Sequence, residues 1–195
     1  MNVNIFFAAV PNPDNRQLLS QKILQCEAKR SSQLKIDWSH LTDLHITLGY
    51  LSGVQDIDLR AIAQSFLFLN QTSKFLATIK DVRIFGNAIV LRMEPYQTFL
   101  GLFKKMKQQL QVTLQNKYQF KEHDRFDAHI TIGRIQAPRT LTPPQKLQLC
   151  NIVAEQFANT TIVIQQVALM QRIPEHLLRN AKSAQYQALQ GYNFK

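Results

Sequence analysis

The chain has 195 residues, 45% hydrophobic and 18% charged, enough for one domain of ordinary size or two small lobes sharing a cleft, and too little for an assembly of many modules. Six Gly, seven Pro and 9% aromatic residues argue against collagen-like, low-complexity or wholly disordered chains. Lys and Arg number 23 against 13 Asp and Glu, a net charge of +10, which favours a polyanionic ligand over a cationic one without by itself naming nucleic acid.

Ile5 to Val10 is β-branched and aromatic, is followed by Pro11-Asn12-Pro13, and reads as a strand. No basic residue precedes the apolar run, and it is too short for the core of a secretory signal. Asp14 is a candidate N-cap for a helix whose apolar face carries Leu18, Leu19, Ile23 and Cys26 and which ends near Arg30. Leu34 to Trp38 reads as a short strand and Leu44 to Leu51 as a longer one, closed by Ser52-Gly53. Asp56 or Asp58 opens a second helix with Leu59, Ile62, Ala63 and Phe66 inside. Phe75 to Phe85 and Ala88 to Met93 are strands joined by the hairpin signal Gly86-Asn87. From about Pro95 a long amphipathic helix buries Phe99, Leu102, Phe103, Met106, Leu110 and Leu114, while Lys104, Lys105 and Lys107 form a solvated stretch. Ala128 to Ile135 is the next strand. Thr142-Pro143 caps and starts a helix to Phe157 or Ala158, and Ile162 to Met170 and Gln185 to Phe194 close the chain as strands. The hairpin implies antiparallel pairing, so the fold class is α+β.

Cys26 and Cys150 lie far apart without ligand spacing and read as free thiols of a reducing compartment. No run approaches a membrane span. A soluble, cytoplasmic protein is expected.

The informative feature is a repeat. Leu44-His45-Ile46-Thr47-Leu48-Gly49-Tyr50-Leu51 returns as Ala128-His129-Ile130-Thr131-Ile132-Gly133-Arg134-Ile135, so two of the five histidines share one context. On a strand, His45 and Thr47 project from one face and Ile46 and Leu48 from the other; His129 and Thr131 do the same. Equivalent strands in two similar lobes would meet across a cleft about a pseudo-two-fold axis. Two imidazoles with two hydroxyls suit phosphodiester cleavage: one histidine acts as base, the other donates to the departing oxygen, and the threonines hold non-bridging oxygens. This chemistry calls for no metal. In a regular strand Arg134 alternates away from the histidine face, and a bulge at Gly133 would re-aim it toward a phosphate.

Other constellations are weaker. Neither HExxH nor a Gly-rich phosphate loop occurs. A zinc set of His123, Asp127 and His129 lacks helical or strand logic. Ser39, His40 and Asp43 form no triad by adjacency, and His40 and His176 read as surface or loop residues.

The two His-x-Thr segments resemble the paired motifs of the 2H phosphoesterase superfamily. With the Ile5-Phe6-Phe7-Ala8 strand, the Phe126 to Arg134 segment and Tyr186-x-x-Leu189, the chain looks most like RNA 2′,3′-cyclic phosphodiesterases, also called 2′-5′ RNA ligases. The resemblance spans nearly the whole chain, read as one bilobal unit over residues 1–195. It departs at Ala128, where proline is frequent before the second histidine, and at Leu169-Met170-Gln171-Arg172, where an acidic residue or serine is frequent.

The resemblance implies two pseudo-symmetric lobes, each with an antiparallel sheet and helices, around a positive central cleft. It implies metal-independent, cofactor-free opening of a 2′,3′-cyclic phosphate at an RNA end to a 2′-phosphomonoester, with reversible 2′-5′ ligation in some members. Carried over by motif position, His45 would protonate the 3′-oxygen, His129 would activate water, and Thr47, Thr131 and Arg134 would hold the phosphate. Phe6 or Phe7 would stack on a base, the other packing in the core. The expected partner is an RNA end or nucleotide carrying a cyclic phosphate, and the expected state a monomer. A module that binds RNA or nucleotide without turnover fits the charge equally well; so does a phosphodiesterase for 2′-5′ oligonucleotides or small cyclic nucleotides.

Overall fold

A run that is apolar at every position, as Ile5 to Val10 is, needs cover on both faces, and within β1 (Asn2–Pro11) it has that cover. Ile5, Phe7 and Ala9 enter the main core, while Phe6, Ala8 and Val10 enter a second, smaller cluster with Ala168 and Met170. The computed structural model describes residues 2–32, 34–121, 126–138, 141–174, 177 and 184–195. The remaining elements are α1 (Pro13–Lys29), β2 (Ile36–Trp38), β3 (Ile46–Gln55), α2 (Leu59–Ser65), β4 (Phe75–Phe85), β5 (Ala88–Glu94), α3 (Tyr96–Thr113), β6 (His129–Ile135), α4 (Pro143–Phe157), β7 (Thr161–Arg172) and β8 (Tyr186–Asn193).

The strands fall into two antiparallel halves, β3-β1-β7-β8 and β2-β6-β5-β4. They join twice: Phe75 to Thr78 of β4 pair with Ile164 to Thr161 of β7, and Ile46 of β3 pairs with Ile130 of β6. The pairings therefore close a ring, β1-β3-β6-β5-β4-β7 and back to β1. Helix α3 packs against β3, with α2 beside it, while α4 packs against β4, with α1 beside it. Each half thus carries its own helices, the α+β, two-lobed arrangement expected from sequence.

Local chemistry accounts for the boundaries. Asn12, not Asp14, caps α1: its Oδ1 accepts from the Asn15 N–H at 2.7 Å, Pro13 follows, and Asp14 lies in the first turn. Thr142 and Gln145 form a capping box at α4. Gly86, at φ +61°, turns the β4–β5 hairpin. In α3, Phe99, Leu102, Met106 and Leu110 are buried and Lys104 and Lys105 exposed, as the helical spacing predicts. Strand β7 extends beyond the apolar run of the sequence because β1 flanks it on one side and β4 and β8 share the other. Cys26 is buried and Cys150 half-buried, both free. Among the described residues no helix is long and apolar enough to cross a membrane.

Candidate functional site

The single β3–β6 pairing, Ile46 with Ile130, joins the two repeats. Both isoleucines are buried, so in each strand the residues on either side project from the opposite face. The same antiparallel register, continued one residue each way, sets His45 opposite Thr131 and Thr47 opposite His129. The pseudo-two-fold axis runs between the isoleucines, and two imidazoles and two hydroxyls share one face at the junction of the lobes. A positive charge on His129 is close enough to lower the pKa of His45.

Both imidazoles are oriented by one device. His45 Nδ1 donates to the Asp43 carbonyl at 2.6 Å, and His129 Nδ1 donates to the Asp127 carbonyl at 2.7 Å. This fixes the neutral tautomer and leaves each Nε2 for an incoming group. The repeat is thus one residue-pair longer than the sequence reading made it: Asp-x-His-Ile-Thr-x-Gly begins at Asp43 and again at Asp127. Identity at those two positions was the available signal. Each carboxylate ties the motif to a neighbour. Asp43 accepts from the Gln185 N–H at 2.9 and 3.1 Å, at the entrance to β8, and Asp127 pairs with Arg92 of β5 at 3.1 Å.

Both repeats also carry a β-bulge at one equivalent position. Opposite β1, Leu48 is the extra residue, because Phe7 and Ala8 pair with Gly49 and Thr47. Opposite β5, Ile132 is the extra residue, because Ile89 and Val90 pair with Gly133 and Thr131. Leu48 and Gly49 are consecutively buried, as are Ile132 and Gly133, which reverses the alternation beyond them. Arg134 is accordingly exposed on the histidine face, its Nη1 donating to Asn87 Oδ1 at 3.3 Å. The bulge lies one residue earlier than Gly133, at Ile132. Tyr50 is its counterpart in the first repeat, half-buried against the Phe6 cluster. The glycines leave room for rings: a Cβ on Gly49 would lie 2.6 Å from Phe120, and one on Gly133 2.9 Å from Trp38.

The surroundings of the two histidines differ. His45 lies 5.0 Å from Phe6 and edge-on to Tyr186 at 5.4 Å. Burial among these rings, helped by the charge on His129 and opposed by the Asp43 hydrogen bond, pushes its pKa down to about 4. Burial also raises the Asp43 carboxyl, opposed by the backbone N–H groups of Gln185 and Tyr186. Among the described residues His129 meets one ring, Phe85, edge-on at 5.6 Å, and an ionic chain in which Arg92 bridges Asp127 and Asp81.

Of the two aromatics considered as base platforms, Phe7 is fully buried against Phe66 and Phe120, and Phe6 is 6% exposed beneath His45 and Tyr186. Neither offers an open face. His40 caps the 3₁₀ turn Leu41–Asp43 through Thr42. His123 and His176 lie outside the described residues, and with His123 the zinc set; among the described residues no three His, Cys, Asp or Glu side chains gather into a metal site.

Neither a protein-family model nor a curated protein matches the sequence. Solved structures do match, and the likeness they show is one of fold, the two-lobed α+β arrangement described above. E. coli LigT complexed with 3′-AMP aligns over 100% of this chain and 99% of its own at TM-score 0.70 and 18% identity. TT0787 of Thermus thermophilus aligns over 97% of each chain at 0.69 and 16%. Kluyveromyces marxianus Usb1 aligns over 86% of this chain and 93% of its own at 0.51 and 11%. LigT has also been solved complexed with ATP, NADP+ and phosphate.

Proposed function

We propose that this chain is a metal-independent phosphodiesterase that opens the 2′,3′-cyclic phosphate at an RNA end to leave a 2′-phosphomonoester. The observation that carries the reading is the Ile46–Ile130 pairing, which gathers His45, Thr47, His129 and Thr131 on one face. The nucleotides and phosphate bound to LigT support a nucleotide phosphate as the occupant.

In the reaction, water attacks phosphorus and gives its proton to His129 Nε2 as the new P–O bond forms. The P–O3′ bond breaks in line, and O3′ takes a proton from His45 Nε2. The hydroxyls of Thr47 and Thr131, with the Arg134 guanidinium, hold the non-bridging oxygens as charge builds on them. With a pKa near 4, His45 is neutral at pH 7 in the empty site. A phosphodiester anion against its ring favours the imidazolium and raises that pKa on binding, as the acid role requires.

The test is a panel of 2′,3′-cyclic, 3′,5′-cyclic and 2′-5′-linked substrates, with the product phosphate located by phosphorus NMR. The expected result is 2′-phosphate from the cyclic ends, unaffected by EDTA, with His45→Ala and His129→Ala each slower by about a hundredfold or more. Wild-type turnover in both variants overturns the reading. So does loss of activity in EDTA restored by zinc, and intact recovery of every substrate would mark a binding module instead.

A further inference from the structure

The rows of side chains on the His129 face do not stop at β6. His129 pairs with Arg92 and that with Asp81; Thr131 pairs with Val90 and that with Arg83; Arg134 pairs with Ala88 and that with Phe85. Beside these rows lies a depression on β4, β5 and the start of α3, lined among others by Arg83, Phe85, Arg92, Glu94, Phe126 and Asp127, and it reaches His129 through Phe85 and Asp127. It holds about 520 Å³, within the roughly 300–1,000 Å³ of small-molecule clefts.

Its walls are aromatic. Phe126 stacks on Phe103 at 5.2 Å and touches Tyr96 at 6.3 Å, a wall fixed from beneath. At the histidine end stands Phe85, 42% exposed, its ring edge-on to His129. An exposed aromatic against a candidate catalytic ring is the open platform that Phe6 and Phe7 do not provide. The charges here cancel. Lys80 pairs with Glu94 at 2.7 Å, Arg83 with Asp81 at 3.3 Å, and Arg92 with Asp81 and Asp127 at 3.1 Å each. A groove whose cations are matched by carboxylates does not ask for a second phosphate. It suits a neutral flat ring whose faces meet aromatics and whose polar edge meets guanidinium and carboxylate groups.

We propose that this groove is a nucleobase subsite, in which the base attached to the phosphate held at His45 and His129 stacks on Phe85, faces the Tyr96–Phe126 wall, and presents its edge to Arg92 and Glu94. The inference rests on the phosphodiesterase reading and names its substrate as a nucleoside ester. Stacking tolerates any base, so the subsite selects for a base without selecting among bases.

The experiment compares kcat/KM for adenosine 2′,3′-cyclic phosphate with that for methyl riboside 2′,3′-cyclic phosphate, which has no base. Wild type should prefer the nucleoside by about tenfold or more, a typical worth of one base–aromatic stack. Phe85→Ala should bring the two within about threefold, chiefly through KM, as loss of an interaction made equally in ground and transition states does. Phe85→Trp should keep the preference. Equal use of both esters by wild type, or an undiminished preference in Phe85→Ala, overturns the subsite while leaving the phosphodiesterase standing. If neither ester turns over, that reading fails instead, and calorimetry with adenosine 2′-phosphate and methyl riboside 2-phosphate decides the groove alone: tenfold tighter binding of the nucleotide, lost in Phe85→Ala, supports it, and equal or absent binding overturns it.

Discussion

His45 and His129 share a sequence context, a strand position and a hydrogen bond to the carbonyl two residues back, yet among the described residues two rings flank His45 and one meets His129. The difference comes from long-range neighbours. Phe6 reaches His45 because β1 lies beside β3, and Tyr186 reaches it because the Asp43 carboxylate holds the entrance to β8. Pattern reading found the His/Thr quartet because strand alternation is local and the motif occurs twice. It missed the aspartates' task, since what a carboxylate grips 142 residues away leaves no local trace. The clamp is testable. Asp43→Ala frees the Gln185 N–H, loosens Tyr186 over the imidazole and readmits water, so the His45 pKa should rise from about 4 by a unit or more toward the ordinary 6.5. Asp43→Asn, which keeps an acceptor oxygen, should shift it less. NMR titration of the histidine ring protons reads this directly, and an unmoved His45 in Asp43→Ala would show that the carboxylate does not hold Tyr186 in place.

At the scale of the strand, periodicity is a good guide until a bulge intervenes. Regular alternation points Gly49 and Gly133 outward and Tyr50 and Arg134 inward; the extra residues Leu48 and Ile132 reverse this in both copies. The sequence hint was a glycine at the same place in each repeat, a frequent mark of a bulge or a close approach. What approaches is Phe120 in one half and Trp38 in the other, and partners so distant in sequence could not be read from spacing. Since the added Cβ of Gly49→Ala would meet the Phe120 ring at 2.6 Å, overpacking should cost about 1–3 kcal/mol. Urea unfolding measures it. Shrinking the ring in Gly49→Ala/Phe120→Leu should recover part of that loss relative to Phe120→Leu alone, and a double-mutant cycle with no coupling would refute the contact as the reason for the glycine.

Across the whole molecule, the helices and strands were anticipated because caps, hairpin glycine and apolar spacing are written locally. The closed ring was not, because the β1–β7 and β4–β7 registers join segments whose separation no periodicity encodes. That closure packs the Phe6 cluster at the junction of the lobes and so couples His45 to global stability. A histidine held near 4 in the native state but titrating near 6.5 when unfolded binds its proton first in the unfolded chain. Between those values the unfolded state carries more protons, so stability rises with pH: the contribution is full above about 6.5 and is lost as pH falls toward 4, at up to about 1.4 kcal/mol per pH unit. Asp58 and Glu94, lowered chiefly by Lys117 and Lys80, lose their contributions only below the usual carboxylate range. The raised Asp43 acts in the opposite sense, so the comparison of wild type with a His45 variant, rather than the pH interval alone, identifies the histidine's share. Wild-type protein should therefore unfold at distinctly lower urea at pH 5 than at pH 7, and His45→Gln should flatten that dependence; a variant as acid-sensitive as wild type would place the titrating group elsewhere and remove His45 from the linkage.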